Sequence, residues 1–151
     1  MEILVGIILA LAVSLMAHSV GLDRERGFYA VIVIISASYY DLFAVMGGTM
    51  GAAISEMLPF MIFLAVALWG FKQNLWLVAA ALAGHGIFDF YHARLITNGG
   101  TPAWWAMFCL SFDFTSALYF AWRLSTRNSW KWPKGLGSTA LPQDSVALSF
   151  F

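Results

Sequence analysis

The chain has 151 residues, of which 61% are hydrophobic and 17% aromatic, and eight acids balance eight bases. Only 11% of its residues are charged, against about 25% in soluble domains, and its mean hydropathy is +0.78. This excludes an ordinary soluble domain, a disordered chain, which needs low hydrophobicity and high net charge, and a nucleic-acid binder, which needs a basic surplus. Cys109 is the single cysteine, so an internal disulfide framework and any CxxC motif are excluded too. The composition is that of an integral membrane protein.

A bilayer core about 30 Å thick takes roughly 20 apolar residues in a helix. Five stretches meet that length, at 3–21, 27–46, 52–70, 75–95 and 103–123. The separators carry charge or helix breakers: Asp23-Arg24-Glu25-Arg26-Gly27, Gly47-Gly48-Thr49, Phe71-Lys72-Gln73-Asn74 and Asn98-Gly99-Gly100-Thr101-Pro102. Transmembrane strands would alternate in segments of about ten residues, whereas these runs are continuous and rich in Ala, Leu and Ile. The expected fold is an all-α membrane domain of five spans over residues 1–123. Spans two to five form a four-helix bundle in this reading, with span one packed outside. The first stretch lacks a basic leader region and a small-residue cleavage signal, so it reads as a span rather than a signal peptide.

Arg24, Arg26, Lys72, Arg123, Arg127, Lys131 and Lys134 fall on one side of this topology and Arg94 alone on the other. The positive-inside rule then places the N-terminus outside and the C-terminus in the cytoplasm, in a plasma or inner membrane. Trp69, Trp76 and Trp122 at inner ends, and Tyr39, Tyr40, Trp104 and Trp105 at outer ends, fit the aromatic belts. Residues 124–151 form a polar cytoplasmic tail, and its Trp130-Lys131-Trp132-Pro133-Lys134 run is an interfacial anchor for the anionic leaflet. One internal echo exists: Tyr39–Thr49 and Tyr91–Thr101 both close on Gly-Gly-Thr.

The informative residues are the polar ones inside the spans: Asp41, Glu56, His85, Asp89, His92 and Asp113. Each mid-span acid opposes insertion by roughly 2.5–3.5 kcal/mol. Such groups normally face the bundle interior and mark a site. Counted from the span ends, all six lie between the midplane and the outer face. His18, at an inner end, is outside the group and reads as an interfacial residue.

His85, Asp89 and His92 stand at i, i+4 and i+7, on one helical face. Gly84 and Gly86 flank His85 and allow close approach of a neighbour. Asp113 shares a face with Cys109 and Ser116, and Pro59 follows Glu56 closely enough to bend the third span near the site. Asp89-Phe90-Tyr91-His92 has the carboxylate-x-x-His spacing that di-iron bundles build with glutamate, here once and with Asp.

Imidazoles and carboxylates in this number can hold a divalent metal such as Zn, Fe or Cu. The first expectation is therefore a metal-binding membrane protein, with a metal-dependent membrane enzyme as its catalytic form. His85, Asp89, His92 and Asp113 are its ligands, and Glu56, Asp41 and Asp113 are the candidate catalytic carboxylates. A second is a proton- or cation-coupled carrier of a small solute, since buried acids and histidines make proton relays. A third is an accessory subunit of a larger membrane complex, its polar groups locking helix packing. Hydrogen-bonded Asp–His pairing would suffice for that role, and Asp41 could pair with Arg94, the only outer cation. The expected partners are the bilayer and either further copies of the chain or a larger complex, with no nucleic acid.

Overall fold

The computed structural model describes residues 1–127, and the expected interfacial anchor at 130–134 lies outside them. Five α-helices follow one another: α1 Glu2–Val20, α2 Phe28–Gly47, α3 Met50–Lys72, α4 Leu75–Leu95 and α5 Trp105–Arg127. A short 3-10 turn, Leu22–Arg24, joins α1 to α2, and there is no strand among the described residues. Three of the helices, α1, α2 and α3, are long and apolar enough to cross a membrane.

The ends follow local chemistry. Gly21, with φ 83°, closes α1 in the left-handed conformation that glycine adopts without a Cβ clash. Thr49 caps α3 by accepting a hydrogen bond from the Ala52 amide at 3.2 Å, and Asn74 caps α4 by accepting from the Trp76 amide at 3.0 Å. Removing such a cap costs about 1 kcal/mol. Thr49→Ala should lower stability by that amount, measurable as an earlier midpoint in detergent unfolding. Pro59 lies inside α3, and the helix continues through it.

Helix α4 is central in the packing, lying against α3 and α5 and touching α2, while α1 lies along α5. Helices α4 and α5 approach closely at Gly86, where a Cβ would come within 2.8 Å of the Phe114 ring. The apolar core at one end joins Tyr29 and Val33 of α2, Ala67 of α3, Val78 and Leu82 of α4, and Phe120 of α5. Tyr29 stacks on Phe120 with ring centroids 4.1 Å apart. At the same end Asp23 accepts from Arg123 at 2.8 Å and pairs with His18 at 3.0 Å, so His18 has a charged partner as well as a half-exposed ring.

Polarity is inverted relative to a soluble protein. Glu56, His85, Asp89, His92 and Asp113 are all 2% exposed or less. Ile8, Ile54, Leu58, Ile62, Ile87, Leu95 and Leu118 are exposed on the outside of the molecule. Helices α4 and α5 turn His85, Asp89, His92 and Asp113 inward, and their exposed residues include the apolar Ile87, Phe90, Phe114 and Leu118 as well as Arg94, Ser125 and Thr126. The make-up is that of a membrane protein.

Candidate functional site

Two hydrogen-bonded clusters meet between α2, α3, α4 and α5. In the first, His85 Nδ1 lies 2.6 Å from Asp113 Oδ2 and 3.3 Å from Asp89 Oδ2. Each carboxylate is held from behind by a hydroxyl of α2: Ser36 donates to Asp113 Oδ1 at 3.0 Å, and Tyr40 donates to Asp89 Oδ1 at 2.8 Å. Asp89 Oδ2 is buried without a hydrogen-bond partner and faces His85 Nδ1 at 3.3 Å. One donor atom from each of His85, Asp89 and Asp113 falls within a 4.8 Å group.

In the second cluster His92 Nε2 lies 2.7 Å from Glu56 Oε1. The same oxygen accepts from Asn98 Nδ2 at 2.9 Å, and Asn98 also donates to the Tyr40 carbonyl at 3.0 Å. Tyr40 joins the clusters: its hydroxyl serves Asp89, and its ring stacks on His92 with centroids 3.8 Å apart.

The i, i+4, i+7 face expected for α4 is the buried face, but its residues divide between two partners. His85 goes to Asp113 of α5 and His92 to Glu56 of α3, so His92 stands apart from the converging group of His85, Asp89 and Asp113. Asp41 joins neither cluster; it is partly exposed with one buried oxygen lacking a hydrogen bond. Arg94 makes no ion pair among the described residues and instead places its guanidinium over the Phe90 and Tyr91 rings at 5.9 and 5.8 Å. Cys109 and Ser116 are buried on the Asp113 side of α5.

Ser36, Tyr40 and Asn98 are the partners that sequence reading passed over. Tyr40 reads as an interfacial anchor beside Tyr39, yet it is 2% exposed. Adjacent residues of a helix diverge by about 100°, so Tyr40 turns inward beside the more exposed Tyr39. Tyr40 lies four residues after Ser36, on the face that α2 buries with Val33, Ala37 and Ala44. That stripe of small residues was the available signal.

A crevice adjoins both clusters, lined by Ala37 and Tyr40 of α2, Glu56, Pro59, Phe60 and Phe63 of α3, and His85 and Phe88 of α4. It is too narrow to admit a water molecule as it stands. Two buried atoms without hydrogen-bond partners belong to its lining residues, Glu56 Oε2 and His85 Nε2.

The charges do not close within the protein. Three buried carboxylates, Glu56, Asp89 and Asp113, face two imidazoles, and no Lys or Arg among the described residues forms an ion pair with them. With both rings protonated the sum is 2 − 3 = −1. In a low-dielectric interior such an imbalance is costly, so a further proton or a cation must balance it. Comparison with protein-family models, with curated proteins and with solved structures gives no match.

Proposed function

We propose that this chain is a five-span membrane protein that binds a divalent metal ion at His85, Asp89 and Asp113. Spans α2 to α5 form a bundle around the site, and α1 packs outside. The exposed Ile87, Phe90, Phe114 and Leu118 of α4 and α5 support counting them as spans. The basic residues at the end carrying Arg24, Arg26, Lys72 and Arg123 support a cytoplasmic placement of that end in a plasma or inner membrane.

The observation that carries the metal reading is the missing positive charge beside three converging donor atoms. A divalent ion on neutral His85, Asp89 and Asp113 brings their sum to 2 − 2 = 0 and leaves His92 and Glu56 as a neutral ion pair. Ligands at about 2.0–2.1 Å from one tetrahedral zinc lie roughly 3.3 Å apart. The His85–Asp89 separation of 3.3 Å already has that value. The 2.6 Å contact to Asp113 is a hydrogen bond, which lengthens as the ion replaces the Nδ1 proton. Ser36 and Tyr40 then orient the ligating carboxylates, as outer partners of metal ligands do. Glu56, which lines the same crevice as His85 and has a buried oxygen without a hydrogen bond, is the carboxylate available as a base.

Protein purified without chelator should carry a stoichiometric divalent metal by elemental analysis. His85→Ala and Asp113→Ala should each lower its content by about tenfold or more, while Asp41→Asn leaves it unchanged. Absence of metal from folded protein, or retention in both alanine variants, would overturn the reading. The short acid–imidazole contacts at 2.6 and 2.7 Å favour proton handling as the second reading. Its sign would be proton flux in proteoliposomes that Asp89→Asn abolishes in metal-free protein.

A further inference from the structure

Arg26 and Lys72 stand together where α2 begins and α3 ends. Arg26 donates from its guanidinium to the Phe71 carbonyl at 3.0 Å, and Lys72 is the next residue and the last of α3. The Phe71 ring also lies against the start of α2, since a Cβ on Gly27 would meet it at an ordinary 3.8 Å. A guanidinium carries five N–H donors in a fixed fork, so one bond to a carbonyl holds Arg26 in place and leaves most of the fork for an anion. Arg26 and Lys72 are both exposed, and neither forms an ion pair among the described residues.

The acids at this end do not neutralise them. Asp23 is buried and engaged by Arg123 and His18, which leaves Arg24, Arg26 and Lys72 against Glu25. Along α3 from Lys72 the surface changes character. Trp69, Leu68, Ala65 and Met61 precede it on one helical face, and all four are exposed. Arginine matches phosphate oxygens bidentately, and lysine adds a point charge. Cations at the head of an apolar stripe are the complement of a phospholipid that carries surplus negative charge, whereas a soluble anion would use the cations and leave the stripe idle.

We infer that Arg26 and Lys72, at the junction of α2 and α3, bind the phosphate of an anionic phospholipid whose acyl chain lies along Trp69, Leu68 and Met61. The site faces the cytoplasmic leaflet, where anionic lipids concentrate. It rests on the five-span reading of the chain and is independent of the metal.

Full-length protein in detergent is unfolded thermally while phosphatidylglycerol, phosphatidylcholine or inorganic phosphate is titrated in at matched ionic strength. Phosphatidylglycerol should raise the midpoint saturably, as a ligand of the folded state does; the other two should not. Apparent affinity should fall roughly fivefold in Lys72→Gln and about thirtyfold in Arg26→Gln/Lys72→Gln, from the attraction of each cation to an anionic headgroup. Arg26→Gln also removes the bond to the Phe71 carbonyl, so the quantity read is the lipid-dependent increment and not the midpoint itself. Lys131→Gln/Lys134→Gln removes two charges from the tail and should leave the affinity nearly unchanged. Equal losses in the two double variants would mean diffuse attraction and overturn the proposal. So would equal increments in phosphatidylglycerol and phosphatidylcholine, or an increment that inorganic phosphate reproduces. A chain that stays in membranes through alkaline extraction and shows no lipid preference sinks this proposal alone; a chain that the extraction releases sinks the five-span reading with it.

Discussion

Replacing Asp113 by alanine should destabilise the protein by about 3–5 kcal/mol, the cost of removing one partner of a buried charged pair. The residue is fully buried and fixes the ring of His85 at 2.6 Å, while its other oxygen takes the Ser36 hydroxyl. Its loss strands two donors, and a stranded buried polar group costs about 1–3 kcal/mol by itself. Asp113→Asn should cost less, because the amide oxygen still receives Ser36 and the imidazole can switch tautomer to accept from the amide nitrogen. A cycle with His85→Ala separates the pair from its surroundings. The double variant should be less destabilised than the sum of the singles by about 0.5–3 kcal/mol. Unfolding in mixed micelles measures all four proteins. A cost below about 1 kcal/mol for Asp113→Ala would mean that the pair does not hold α4 to α5.

The second large effect is expected at a loop rather than in a helix. A Cβ at Gly100 would run into the Phe43 carbonyl oxygen and stand 3.2 Å from the Gly48 amide nitrogen, both backbone atoms that cannot rotate away. Gly99, next to it, would meet only the Gly47 carbonyl at 3.9 Å, an ordinary contact. Gly100→Val should therefore lower stability by about 2–5 kcal/mol, combining overpacking with the lost bonds of Asn98, whereas Gly99→Ala should be near neutral. Asn98 is drawn into this effect because it ties the loop to Tyr40 and Glu56 and receives the Gly100 amide at 3.1 Å. Thermal unfolding of the two variants side by side checks the contrast. A Gly100→Val protein as stable as wild type would show that the two glycine loops are not clamped together.

These two positions also mark what the sequence made legible. The helices were readable because apolar length and loop breakers are local properties, and the shared face of His85, Asp89 and His92 follows from helical spacing. The assignment of acids to imidazoles was not readable. Asp113 lies 28 residues from His85, and Glu56 lies 36 from His92, so only the packing of α5 and α3 against α4 decides which meets which. Asp41 shows the converse. It looks equivalent to Glu56 in charge and span position, yet it stays out of both clusters. The Gly-Gly-Thr echo had a physical meaning that counting could not supply, since Gly47 and Gly48 of one copy lie against Gly100 of the other.

The inverted polarity of α4 and α5 also bears on how the chain enters a bilayer. Helices α1, α2 and α3 are apolar enough to be released into lipid one at a time. On the five-span reading, α4 cannot follow them alone at comparable cost, because Asp89 and His85 find their partners on α2 and α5. Asp113 has the same difficulty in reverse, depending on α2 and α4. The last two helices must then leave the insertion machinery as a hairpin and dock on the waiting α2 as they do so. On that reading the membrane integration of α4 and α5 would be a cooperative event, driven by the same residues that pair inside the bundle.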